Sequence, residues 1–285
     1  MNMKHIAAVA AFAASAIVFD AAGAVEWRNL SPEHQLAGRK ASEGYLRGKV
    51  VLVLRWGVRD QQSLAMLPQI EQIWQSFKTK PFVAIGGRCK GRGTIDEITQ
   101  IAKENGLTFP IYEDAGLAYG EPGFDNPPFI YVVDCTGKLV YKGRNDKDAT
   151  QAVVTSLTDM AAPRNIGQWR KFLEFELKEL PGHALIRLEE FSKKFPDEAR
   201  KYDDAAAELK KIPDVKRLVD LVKFARQSKD RPPFGEKQTS QRERFARKLD
   251  RAIKSFAPLA QSDDPRVAQE AKNAIADLKW TRAGL

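Results

Sequence analysis

The chain has 285 residues, of which 43% are hydrophobic and 29% are charged, and its formal net charge is +9. This composition excludes a disordered or fibrous protein, and the length suits two globular domains. A basic chain attracts anionic surfaces, but Lys and Arg are interspersed with Asp and Glu, which is typical of solvated helix faces.

The first 24 residues differ from the rest of the chain. Lys4 and His5 precede an apolar run over 6–19, and small residues follow at 22–24. The run is short for a membrane span and ends at a cleavage signal. We therefore predict a signal peptide over residues 1–24, a periplasmic or secreted mature protein, and no stable membrane span. An uncleaved anchor is the alternative, and nucleic acid is not an expected partner.

Short β-rich runs alternate with helical patterns in residues 25–160. In chain order the sequence predicts a buried strand at 49–56, a helix at 62–77, a strand at 82–85, a helix at 95–104, a hairpin of 129–134 and 139–141, and a helix at 149–160. This order predicts an α/β domain with one mixed sheet covered by helices on both faces.

Residues 165–285 contain no convincing strand, and a Pro-containing break at 161–165 marks the predicted junction. Amphipathic segments follow at 168–180, 183–195, 197–211, 214–228, 240–257 and 264–280. They show no constant period, so we predict an all-α helical domain and not a repeat array. Its role stays open between a solvated bundle, a partner-binding unit and an adaptor for an anionic surface.

Four features of the first domain resemble a known family. Gly48-Lys49 leads into the first buried strand, and Trp56 and Pro68 flank the loop after it. Residues 107–114 contain a Phe-Pro-Ile run ending in Asp, and Pro128 precedes the strand of the hairpin. In these features the sequence resembles the thioredoxin-like superfamily, in particular its redoxin group of alkyl hydroperoxide reductases and thiol-specific antioxidant proteins.

The resemblance implies a Trp-Cys-x-x-Cys motif between the first buried strand and its helix, where the helix N-terminus lowers the pKa of the first thiol. Counting from Trp56 to Pro68, the two cysteine positions fall on Asp60 and Ser63. Neither side chain can exchange disulfides. We therefore predict a degenerate active site in which Asp60 is the N-cap of the helix.

A binding surface could survive without the thiols. In the family, a cis-proline loop presents backbone groups that pair with an extended peptide. Here Asn126-Pro127-Pro128 occupies that place and, with Trp56, Asp60 and Ser63, forms the predicted binding edge for a protein or extended peptide. The alternative is that the cis-proline serves only the tight turn.

Cys89 offers a second interpretation. It lies within the glycine-rich run 86–93, and Arg88, Lys90 and Arg92 would favour its thiolate. Cys89 is therefore the candidate catalytic residue if the chain is a thiol oxidoreductase or antioxidant protein. The competing interpretation is a passive cysteine in a solvated loop.

The other cysteine, Cys135, is expected at the opposite end of the sheet, because the family fold runs the strand after Pro128 antiparallel to its neighbour. No disulfide between Cys89 and Cys135 is expected. The sequence indicates no metal site and no cofactor.

Overall fold

A computed structural model describes residues 25–38, 41–89, 93–117, 127–230, 234 and 238–285. The predicted signal peptide, residues 1–24, lies outside the described residues. So do Lys90, Arg92 and Asn126 among the residues named above.

The strands within the described residues all lie in the first half of the chain. They are β1 (Trp27–Arg28), β2 (Gln35–Ala37), β3 (Val50–Trp56), β4 (Phe82–Arg88), β5 (Ile111–Glu113), β6 (Gly116–Leu117), β7 (Phe129–Val133) and β8 (Leu139–Gly143). Six of them form one sheet in the order β2-β5-β4-β3-β7-β8, while β1 pairs with β6. The central strands β3, β4 and β5 are parallel, and β2, β7 and β8 are antiparallel to their neighbours.

The strands β3 and β4 are buried along their whole length. Their side chains alternate between two cores, so Leu52 lies in one cluster and Val53 in the other. A strand covered on both faces must be apolar at consecutive positions. This requirement explains the consecutive apolar residues at 50–54 of β3 and 82–85 of β4.

Helices cover the sheet on both faces. They are α1 (Glu43–Leu46), α2 (Gln61–Phe77), α3 (Ile95–Glu104) and α4 (Asp146–Ala161). The helix α3 begins with a capping box, in which Thr94 and Glu97 each accept the other's backbone N–H. The mixed sheet with its helices confirms the predicted α/β, thioredoxin-like fold class.

An all-α helical domain follows, as predicted. It comprises α5 (Ile166–Glu179), α6 (Pro181–Lys194), α7 (Pro196–Ala199), α8 (Asp203–Lys211), α9 (Val215–Lys229), α10 (Thr239–Phe256) and α11 (Pro265–Ala283). Proline occupies the first position of α6, α7 and α11, where its missing N–H costs no helical hydrogen bond. No helix of the described segments is long and apolar enough to cross a membrane.

The last helix joins the two domains. The Trp280 ring lies 4.6 Å from that of Tyr45 and 6.5 Å from that of Trp74, edge to face in both cases. The Asn273 side-chain amide donates to the Gly44 carbonyl oxygen over 2.8 Å. Because α1 leads directly into β3, these contacts lie near the end of the sheet where β3 begins. The helical domain therefore packs at the end of the sheet that lies away from the C-terminus of β3.

Candidate functional site

The loop between β3 and α2 uses its polar groups internally. The Asp60 carboxylate accepts the backbone N–H of Ser63 over 2.7 Å, which confirms the predicted N-cap. The Ser63 hydroxyl is completely buried and accepts the backbone N–H of Gly57 over 3.1 Å. Both groups thus hold the first turn of α2 against the end of β3.

Trp56 ends β3 with its side chain fully buried in the core. Its indole N–H has no hydrogen-bond partner within the part of the chain that the structure describes. A Cβ placed on Gly86 would lie 3.3 Å from this nitrogen and 3.0 Å from the Phe109 ring. Glycine at 86 therefore leaves room for the rings of Trp56 and Phe109. Trp56 is a core residue, and its buried side chain is not accessible to a binding protein.

Cys89 lies beside Trp56 but is not in a solvated loop. The strand β4 continues through both glycines to Arg88, and the Cys89 backbone N–H donates to the Trp56 carbonyl oxygen over 2.9 Å. Only 6% of Cys89 is exposed. This burial corrects the expectation of an open, glycine-rich loop around the thiol. A Cβ on Gly87 would lie 1.9 Å from the Ala115 carbonyl oxygen, so here glycine permits close strand approach.

The cation next to Cys89 is already paired. The Arg88 guanidinium donates to the Glu113 carboxylate over 3.0 Å and to the Cys89 carbonyl oxygen over 3.3 Å. Its positive charge is therefore balanced by Glu113, and this weakens the argument that Arg88 favours a thiolate.

The loop that contains Pro127 and Pro128, here called the proline loop, lies at the same edge of the sheet. The peptide bond between Pro127 and Pro128 is cis, as the resemblance implies. A Cβ on Gly57 would lie 3.1 Å from the Pro127 ring, so the loop packs directly against the start of the β3–α2 connection. Both prolines are buried, which leaves Asp60 as the most exposed of the predicted site residues that the structure describes.

A buried ion pair that sequence reasoning missed supports this edge. Arg55 is 4% exposed, and its guanidinium lies 2.7 Å from the Asp114 carboxylate and 3.2 Å from the Ala115 carbonyl oxygen. The Asp114 backbone N–H donates to the Arg88 carbonyl oxygen over 2.6 Å. A charged residue inside an apolar strand run was the available signal, because such a residue needs a buried partner.

Cys135 lies at the far end of the sheet. In the β3–β7 register Val51 opposes Val133, whereas Trp56 opposes Arg88 in the β3–β4 register. The two cysteines are not bonded to each other. Burial, followed by the neighbouring Asp134 carboxylate, raises the pKa of the Cys135 thiol, so this thiol stays protonated.

The structure thus brings Trp56, Asp60, Ser63, Cys89 and the proline loop to one edge of the sheet. The described residues contain no group of three or more His, Cys, Asp or Glu side chains that could hold a metal ion. The sheet order and the cis-proline against the β3–α2 loop define a thioredoxin-like domain.

No protein-family model and no curated protein matches the chain. Among solved structures, a thioredoxin-family thiol:disulfide interchange protein from Chlorobium tepidum is 16% identical, and the match covers 49% of this chain and 99% of that one with a TM-score of 0.41. A thiol-disulfide isomerase from Corynebacterium glutamicum is 19% identical over 49% of this chain and 99% of its own, with a TM-score of 0.40. A secreted disulfide oxidoreductase from Mycobacterium tuberculosis is 16% identical over 43% and 92%, with a TM-score of 0.36.

Proposed function

We propose that the chain is an exported protein whose thioredoxin-like domain binds a protein or an extended peptide without dithiol catalysis. One observation carries this proposal. Asp60 and Ser63 occupy the two expected cysteine positions. The Asp60 side chain caps α2, and the Ser63 hydroxyl accepts the backbone N–H of Gly57. Dithiol exchange needs an attacking and a resolving sulfur, and this loop contains neither.

Binding would use the exposed residues at the start of α2, at this edge of the sheet. Arg59 has 79% of its side chain exposed, and Gln61 and Gln62 are exposed at the start of α2. The cis-proline loop packs against Gly57, at the start of the same connection. An extended segment could pair with backbone groups there by strand addition. Arg59 itself lies 4.0 Å from the Glu97 carboxylate.

Export is supported by the sequence of residues 1–24. A basic start, an apolar run and small residues at 22–24 make up the pattern of a cleaved secretory signal. Separate domains at residues 25–160 and 165–285 are part of the same proposal.

Thiol chemistry at Cys89 is the alternative function. A reactive cysteine has to be a thiolate that its partner can reach. Cys89 is 6% exposed, and Arg88 beside it is paired with Glu113. These two facts favour the binding role.

Reduction of insulin by dithiothreitol separates the two functions. We expect the mature wild-type protein to leave the uncatalysed rate unchanged. A double variant, Asp60→Cys with Ser63→Cys, places two thiols at the N-terminus of α2 and serves as the matched positive control. Turnover by the wild type that disappears in Cys89→Ser would refute the non-catalytic proposal.

Site-specific photo-crosslinking tests the binding edge. A benzoylphenylalanine at Gln62 should crosslink to a partner in the native cell envelope, because Gln62 is exposed in the first turn of α2, next to the cap residue Asp60. The same residue at Glu208, which is exposed on α8, is the control. Equal crosslinking from both positions would argue against a binding site at this edge.

A further inference from the structure

A cleft of about 640 Å³ lies between the two domains. One wall comes from the segment before β3, the α2–β4 turn and the C-terminal half of α4, and the other comes from α6, α9 and α11. The volume falls within the range of ~300–1,000 Å³ that small-molecule sites have. No residue of the proposed binding edge lines the cleft, so it is a separate place in the molecule.

The amine of Lys49 lies in the wall of this cleft. Lys49 precedes β3, lines the cleft and is 6% exposed. Its Nζ atom donates to the Tyr45 carbonyl oxygen over 3.1 Å and lies 3.7 Å from the centre of the Tyr45 ring. The Asp277 carboxylate, which also lines the cleft, lies 3.9 Å from the same nitrogen. The amine is thus held between α1 and α11.

A second lysine occupies the Asp277 carboxylate. Lys229 on α9 lies 2.7 Å from Oδ2, the oxygen that Lys49 faces, and the Tyr45 hydroxyl donates to Oδ1 over 2.5 Å. Lys49, at 3.9 Å, is therefore the more weakly paired of the two lysines. Nucleophilic lysines in proteins are desolvated or lie beside another cation, and Lys49 has both features.

The surroundings of Lys49 favour its neutral form. Burial lowers the pKa of Lys49 from 10.5 to about 8, with Asp277 opposing and Lys229 adding to the shift. At pH 7 about a tenth of the Lys49 amine is then neutral. For an ordinary exposed lysine the neutral fraction at pH 7 is on the order of 0.0003. Only the neutral amine attacks a carbonyl carbon, so Lys49 has a large advantage over surface lysines.

The other charges of the cleft are matched. Lys80 lies 3.5 Å from the Asp230 carboxylate. Glu190 attracts the guanidinium groups of both Arg187 and Arg226. A ligand of this cleft therefore needs no net charge.

Much of the remaining lining is apolar. Phe77, Val154 and Leu157 line the cleft from the thioredoxin-like domain, and Leu180 and Val222 line it from the helical domain. Val154 is 37% exposed, which is unusual for a large apolar side chain of this protein. An uncharged ligand with a hydrocarbon body would cover this surface.

We propose that Lys49 is a covalent binding site for an aldehyde with an apolar body, which it captures as an imine in the interdomain cleft. The neutral Nζ adds to the carbonyl carbon, and a proton moves from nitrogen to oxygen to give a carbinolamine. The Lys229 ammonium then protonates the hydroxyl group, which leaves as water while the C=N bond forms, and it takes a proton back from the iminium nitrogen. Hydrolysis reverses the bond, and the hydrocarbon lies along Val154 and Leu157.

Hexanal with sodium cyanoborohydride tests this site in the mature full-length protein, because the hydride converts an imine into a stable secondary amine that peptide mass spectrometry locates. Lys103, exposed on α3, is the reference. At pH 7 we expect Lys49 to be alkylated at least ~10-fold more than Lys103. This ratio should fall by pH 10, where exposed lysines also lose protons. The α-amino group titrates near pH 8 too, but it maps to another peptide. Alkylation of Lys49 no greater than that of Lys103, or of Lys229 in its place, would overturn the proposal.

A shorter aldehyde and a variant test the cleft itself. Propanal has the same reactive group with less hydrocarbon, so its preference for Lys49 over Lys103 should be smaller. Val154→Trp narrows the cleft without removing an amine and should lower alkylation of Lys49 by hexanal, while that of Lys103 stays the same. Circular dichroism reports whether the variant is folded. A preference for Lys49 that responds to neither chain length nor Val154→Trp would refute this location.

Discussion

Lys49 carries a buried charge whose removal should stabilise the protein. It is 6% exposed, and burial lowers its pKa from 10.5 to about 8, with Asp277 opposing and Lys229 adding to the shift. At ~1.4 kcal/mol per pH unit, this difference corresponds to about 3 kcal/mol against the folded state at neutral pH. The Lys49 ammonium donates one hydrogen bond to the Tyr45 carbonyl oxygen over 3.1 Å, worth ~1 kcal/mol.

Lys49→Met should therefore raise the free energy of unfolding by about 2 kcal/mol at pH 7, the difference between these opposing effects. Asp277 keeps Lys229 at 2.7 Å and the Tyr45 hydroxyl at 2.5 Å, so no carboxylate is left unpaired. Lys78→Met, at an exposed lysine, is the control and should change stability by less than ~0.5 kcal/mol.

The stability advantage of the Lys49→Met variant should depend on pH in one direction. The folded-state pKa of Lys49 lies below its unfolded value, so the unfolded chain binds more protons between about pH 8 and 10.5. Wild-type stability therefore gains from Lys49 as the pH rises through this window, and the Lys49→Met variant lacks that gain. The advantage of the variant should shrink to zero or below above pH 10.5.

Urea unfolding at pH 7, 9 and 10.5, followed by tryptophan fluorescence and circular dichroism, measures this difference. A Lys49→Met protein less stable than wild type at pH 7 would refute the reasoning. So would an advantage that stays constant across the three pH values.

Three further substitutions test the packing by the same unfolding measurement. Gly87→Ala should cost more than ~2 kcal/mol, because its Cβ would lie 1.9 Å from a backbone oxygen; Gly167→Ala, with 3.2 Å to a side-chain oxygen, should cost much less. Asp60→Ala should cost ~1 kcal/mol by removing the α2 cap, and Asp60→Asn, which retains an acceptor, only a fraction of that. Trp280→Ala should cost ~2 kcal/mol or more, since it removes both interdomain ring contacts; an unchanged midpoint would contradict the proposed role of α11.

The region around Cys89 shows where prediction from sequence stopped. A glycine-rich, basic run predicts an open loop, because glycine usually marks turns. In the structure Gly86 and Gly87 continue β4, since Phe109, Trp56 and the Ala115 carbonyl oxygen approach too closely for a side chain. These neighbours come from other parts of the chain, so no local pattern could reveal them.

The short strands β1, β2, β5 and β6 were missed for a similar reason. Each has only two or three residues, and their identity depends on pairing with a partner strand. A run of that length is too short to show the alternation that identifies a strand. By contrast, β3 is a seven-residue, continuously buried strand and α2 is a long periodic helix, so both are predicted within a residue or two.

The sequence by itself determined the central strands, the helix periodicity, the N-cap at Asp60 and the absence of a cysteine pair after Trp56, because burial pattern, capping and composition are local properties. Only the tertiary structure decided that Cys89 is buried, that Trp280 contacts Tyr45, and that Arg55 pairs with Asp114. Those three facts depend on which distant segments pack together, and packing across the sheet and between the domains has no signature in any short stretch of sequence.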